Sequence, residues 1–127
     1  MAARRDPGPR RARRDTGFKD FVLEQLEGMG ELRALAMFGG WGLYCDEVFF
    51  GIIWGGRLYF RTSEGTRERY EACGMQPFRP NPRQRLRAYY EVPADVLDDA
   101  AELERWAQDA VRAAPGRLKK GGSAASE

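Results

Sequence analysis

The chain contains no histidine and only two cysteines, Cys45 and Cys73, among its 127 residues. Without histidine there is no Ser-His-Asp triad, no Cys-His dyad and no imidazole metal site. The two thiols are 28 positions apart with no CxxC spacing, too few for a structural zinc site, which leaves only carboxylate magnesium or calcium binding open. They read as small buried hydrophobes, with a disulfide the lesser alternative because nothing points to export. No run of about 18 apolar residues occurs, so no membrane span is expected. The arginine-rich N-terminus has no apolar core segment of a secretory signal, and a cytoplasmic location follows as the expectation.

Enough remains to fold one domain. A hydrophobic share of 43% with 12% aromatics supports a single core at this length. Charge is unevenly placed. Residues 1–15 carry six arginines, among them Arg10, Arg11, Arg13 and Arg14, against two aspartates, a net +4. Residues 116–127 carry three basic groups against one acidic, a net +2, and the body from 16 to 115 carries 12 basic against 16 acidic, a net −4. The two ends read as a disordered basic arm (1–15) and a disordered tail (116–127), because neither has apolar surface to offset its chain entropy.

The body is organised around Met37-Phe38-Gly39-Gly40-Trp41-Gly42-Leu43-Tyr44 and the apolar run Val48–Trp54. Before it, Phe18, Phe21, Val22, Leu26 and Met29 recur at helical spacing, with Asp15 or Thr16 as cap and Gly28 and Gly30 at the end. Leu32–Phe38, Trp41–Cys45, Val48–Trp54 and Arg57–Arg61 read as four strands. Gly39-Gly40, Asp46-Glu47 and Gly55-Gly56 are hairpin-length connections, so the strands form an antiparallel meander. No G-x-x-x-x-G-K-[ST] or G-x-G-x-x-G pattern accompanies the paired glycines, and a turn suffices to explain them. The third strand is apolar on both alternating faces, with Val48, Phe50, Ile52 and Trp54 on one and Phe49 and Ile53 on the other. Either it is central and covered twice, or its second face is a partner surface through which two copies associate.

Ser63 or Thr62 opens a second helix through Cys73, with Tyr70 and Cys73 inward and Gly74 ending it. Pro77-Phe78 enters a fifth strand, and Pro80-Asn81-Pro82 signals a turn. Arg83, Arg85 and Arg87 then alternate on one face of a run into Tyr89-Tyr90. That is the pattern of a charged edge strand, or of a clamp for a nucleic-acid strand. Asp98 or Asp99 caps a last helix over Ala100–Ala114, which accounts for both carboxylates without acid–base chemistry. The expected class is α+β: a two-layer antiparallel meander with helices on one face, in the order α-β-β-β-β-α-β(-β)-α.

With these motifs in order, residues 18–114 resemble the N-terminal domain of the TfoX/Sxy family of bacterial competence regulators. The resemblance rests on Met37 through Tyr44, Arg57 through Arg61, Gly74, Pro77 and Phe78, and Tyr89, Tyr90 and Pro93. It implies an antiparallel sheet with helices on one side, and a positive regulator of DNA-uptake genes acting beside a cyclic-AMP-responsive activator. Full-length members carry a second, helical domain resembling a DNA-binding module. Only residues 117–127 follow the last helix here, so the expectation is a single-domain relative. The family motif brings no catalytic, cofactor or metal residues. The leading expectation is a non-enzymatic regulatory or protein-interaction module with a protein partner. The alternative is a nucleic-acid accessory protein gripping phosphates with Arg10, Arg11, Arg13 and Arg14 and an edge strand of Arg83, Arg85 and Arg87.

Overall fold

The structure is a computed structural model that describes residues 16–37, 39–81 and 84–114, with the backbone only at 80, 81 and 84–87. The expected N-terminal arm and C-terminal tail, with Phe38 and Arg83, lie outside these residues. Helix α1 (Thr16–Gln25) is followed by β1 (Leu32–Met37), β2 (Gly40–Cys45), β3 (Val48–Trp54) and β4 (Arg57–Arg61). Then come α2 (Glu64–Ala72), β5 (Pro77–Asn81), β6 (Gln84–Glu91), the one-turn α3 (Ala94–Leu97) and α4 (Ala100–Ala113). The six strands form one antiparallel sheet in the order β1-β2-β3-β4-β6-β5. The fold is α+β as expected, with α3 added between the last strand and the last helix.

Two connecting turns have left-handed backbone at both central positions, Asp46 (φ 49°) with Glu47 (φ 71°) and Gly55 (φ 62°) with Gly56 (φ 75°). This is the mirror-image turn whose twist matches a two-residue hairpin. At the Asp-Glu turn the strain is offset locally, since Asp46 Oδ1 accepts from the Glu31 amide at 3.2 Å. The first hairpin turns one residue earlier than the sequence suggests. Gly40 already pairs with Met37 as the first residue of β2, and only Gly39 (φ 86°) sits in the turn. Gly40 is needed for a different reason: a Cβ there would lie 2.1 Å from the Ile53 carbonyl oxygen.

Strand β3 departs from simple alternation. Tyr44 pairs with Phe49, but Leu43 pairs with Gly51, so the ladder shifts by one residue. The result is a β-bulge. Phe50, Gly51 and Ile53 face the helices, and Phe49, Ile52 and Trp54 face the other way. The expected grouping of Phe50 with Ile52 and Trp54 is therefore corrected, because the extra residue inverts the phase of the strand beyond it.

The helix-side core gathers Val22, Leu26, Leu43, Phe50, Ile53, Leu58, Phe60, Tyr70 and Leu103, each at most 2% exposed. Helix α4 lies across β3 and β4, α1 packs on α4, and α2 sits near β6. Asp99 caps α4, its Oδ1 accepting from the Glu102 amide at 3.2 Å, and Ser63 with Thr66 forms a capping box on α2. Arg69 ties the two helices together. Its guanidinium lies 4.8 Å from the Trp106 ring and donates to Asp109 at 2.9 Å. Burial alone would raise the Asp109 carboxyl, but hydrogen bonds from Arg69 and Arg112 outweigh it and hold the group below its ordinary value.

The opposite face has a smaller core of Ile52, Tyr59, Phe78 and Tyr89. Phe78 belongs to β5, three strands from β3, yet its ring lies 5.7 Å from that of Trp54 and 4.7 Å from that of Tyr59. Flat strands would separate β5 from β3 by about 14 Å. The β5–β6 hairpin must therefore curl back over the sheet, and its register breaks accommodate the bend. Thr62, a buried polar residue of the core, satisfies the irregular strand by giving both its amide and its hydroxyl to the Ala88 carbonyl, at 2.6 and 2.9 Å. Strand β3 is central, with Phe50 and Ile53 buried on the helix side and Ile52 on the other, where Phe49 and Trp54 are half-buried.

The two glycines of the first hairpin make separate demands, which urea unfolding distinguishes. Gly39→Val retains space around the side chain but forces a left-handed φ, at a cost of about 1–3 kcal/mol. Gly40→Ala must push β2 from β3 and is expected to cost about 3 kcal/mol or more. An unchanged midpoint for Gly40→Ala contradicts the strand contact.

Candidate functional site

The turns ending β1–β2 and β3–β4 lie side by side at one end of the sheet and enclose a cleft of about 250 Å³. Gly39, Gly40 and Trp41 line one side, and Ile53, Trp54, Gly55 and Gly56 the other. Trp41 pairs with Ile53 and belongs to the helix side, whereas Trp54 belongs to the opposite face. The cleft thus wraps the sheet end with one indole from each layer. Trp54 lies across the glycine backbone, its Cδ1 being 3.1 Å from where a Gly40 Cβ would sit. Lys19 of α1 holds its ammonium 4.8 Å from the Trp41 ring centre and bonds Asp20 at 2.8 Å. Its contact with the indole half-buries Lys19.

A second feature runs across the face opposite the helices. Tyr44 stacks on Phe49 at 5.1 Å, Phe49 meets Tyr89 at 5.6 Å, and the Arg61 guanidinium lies 5.6 Å from the Tyr89 ring. Gly42 makes room beneath this row, since a Cβ there would meet the Met37 sulfur at 2.9 Å and Phe49 at 3.2 Å. Tyr44 and Phe49 are half-buried, while Tyr89 is buried.

The family-motif residues fall in several places. Gly39, Gly40 and Trp41 build the cleft, and Met37, Gly42, Tyr44, Phe78 and Tyr89 lie on the opposite face. Leu43 and Tyr90 enter the helix-side core, where the Tyr90 hydroxyl donates to Glu71 at 2.8 Å. Gly74 (φ 79°) ends α2, and Pro93 precedes α3. Arg10, Arg11, Arg13, Arg14 and Arg83 fall outside the described residues. Arg85 and Arg87 lie on β6, and β6 is not the edge strand that was expected: it runs between β4 and β5 in the sheet order. The expectation missed Ile53, Trp54 and the Gly55-Gly56 turn as cleft residues. The signal was the matching pair of glycine turns flanking β2 and β3.

Burial pushes the phenols of Tyr59, Tyr70 and Tyr89 upward, and burial likewise raises the Cys45 thiol, followed by the nearby Asp46 charge. Among the described residues, no three His, Cys, Asp or Glu are grouped so as to hold a metal ion. Nor is any helix among them long and apolar enough to cross a membrane.

A helical layer on a bulged antiparallel sheet, with a glycine–tryptophan cleft at the sheet end, defines a small two-layer α+β domain. The TfoX N-terminal domain model matches residues 24–114, and the chain belongs to that family. No curated protein matches it.

The cysteines differ from the expectation of two buried residues. Both are free, but only Cys45 is buried; Cys73 is exposed because α2 ends at Ala72 and leaves it in the capping turn. Thiol titration of the native chain should label Cys73 at once and Cys45 only on unfolding. Two fast thiols would contradict the burial of Cys45.

Proposed function

We propose that this TfoX-like chain is a non-enzymatic regulatory module that acts by holding a protein partner, with the Trp41–Trp54 cleft as its recognition point. The cleft itself carries the reading. Three residues of the family fingerprint line it, and its volume of about 250 Å³ falls below the roughly 300–1,000 Å³ usual for small-molecule sites. A pocket of that size, walled by two indoles and glycine backbone, suits one large side chain of another protein. The partner is expected among the factors that control transcription of competence-type genes, as the family resemblance implies. The test is transcript profiling of a strain lacking the gene, complemented with wild type or Trp54→Ala whose fold is checked by circular dichroism. Wild type should restore a defined set of transcripts and Trp54→Ala should not. Unchanged transcripts on deletion would remove the regulatory reading, and full rescue by Trp54→Ala would remove the cleft from it.

The nucleic-acid alternative is favoured by one observation, the half-buried Tyr44–Phe49 stack on the sheet face opposite the helices. Bases stack on such rings. The net −4 of residues 16–115 works against phosphate affinity. Anisotropy titration of a single-stranded oligonucleotide with the full chain at low salt decides it: binding that Tyr44→Ala abolishes supports this alternative, and no binding removes it.

A further inference from the structure

The two edges of the sheet are built differently. At one edge, β5 carries Pro77 and Pro80, whose nitrogens cannot donate, and its register against β6 breaks twice. These are the usual guards against pairing with another chain. At the other edge, β1 runs six residues in unbroken register with β2, with no proline and no bulge, and with Arg33 as its single charge. It also bears Leu35, the large hydrophobic residue left exposed among the described residues, at 44%. One edge is closed and the other is left ready to pair.

The direction of the free backbone groups on β1 is set at its start. The Asp46 amide donates to the Glu31 carbonyl at 2.9 Å, and the Glu31 amide donates to Asp46 Oδ1 at 3.2 Å. Glu31 therefore turns its polar groups towards β2, and by antiparallel alternation so do Arg33, Leu35 and Met37. Leu32, Ala34 and Ala36 turn theirs outward. We propose that a second copy of this chain adds across β1, antiparallel, about a two-fold axis through Ala34, joining two sheets into one of twelve strands.

The sequence of β1 selects this occupant and register. A two-fold axis normal to the sheet keeps each face on its own side, so the pairing must centre on a residue. Centring on Ala34 uses all three outward residues of each copy. On the helix side Leu32 then stands opposite the partner's Ala36, so large meets small. On the other side Arg33 stands opposite the partner's Leu35, where its aliphatic stem covers the exposed leucine. The two Arg33 charges are not directly opposed. A six-residue edge buries less than a standard interface, so the dimer forms in a concentration-dependent equilibrium.

Sedimentation of the full chain over a concentration series tests this, with two substitutions at the exposed Leu35. The wild-type mass should rise from 14.4 kDa towards twice that value. Leu35→Lys places a cation opposite Arg33 at both symmetric positions and should hold the chain at the monomer mass. Leu35→Glu places a carboxylate there and should shift the transition to lower concentration. Circular dichroism checks that both variants fold. A wild-type mass that stays monomeric throughout overturns the proposal. Equal association of the Lys and Glu variants overturns the register and with it the interface.

Discussion

Phe50 and Gly51 both face the helices because the pairing between β2 and β3 slips by one residue between Leu43 and Tyr44. Much of the molecule depends on that slip. It puts Phe50 against Phe60, ring centres 5.7 Å apart, under the helical layer. It leaves Phe49 free to stack between Tyr44 and Tyr89 on the other side. One apolar strand thereby serves two cores without leaving either under-filled. Gly51 makes the arrangement feasible, since a Cβ there would sit 3.1 Å from the Tyr59 carbonyl and 3.3 Å from Phe60.

The same slip sets the cleft. Counting back from the Asp46-Glu47 turn in perfect register would place Trp41 opposite Ile52. The extra residue moves it opposite Ile53, on the helix side, where Lys19 covers its ring. Trp54 then emerges on the far side, propped against Phe78 of the curled hairpin. Trp41 and Trp54 close the sheet end from opposite layers, and the glycines between them keep the backbone low enough to leave a hollow. A family fingerprint that reads as turn chemistry thus becomes the wall of a cleft through its partner hairpin.

Periodicity and turn residues carried most of the fold. The helices, the meander, the capping Ser63 and Asp99 and the glycine stop at Gly74 all follow from local rules, and each is present. What escaped local reading was non-local. Gly51 hints at a bulge, but where the ladder slips depends on how Leu43 and Phe60 pack around it. The curl of the β5–β6 hairpin depends on Phe78 finding Trp54 across three strands, and β6 lies inside the sheet because it pairs with β4 while β5 pairs outside it. Cys73 followed the helical stripe by spacing, yet the helix ended one residue before it. The cleft was half legible, as the Met37–Tyr44 side only.

The two-sided core and the cleft both rest on β3 being central and locked from both faces. Amide hydrogen exchange resolved by residue tests that most directly. Phe50, Ile52 and Ile53 should exchange only through global unfolding, with protection matching the stability from urea unfolding, while β5 at the guarded edge exchanges far faster. Exchange of the β3 amides as fast as those of β5 would contradict the doubly covered strand and the bulge that makes it so.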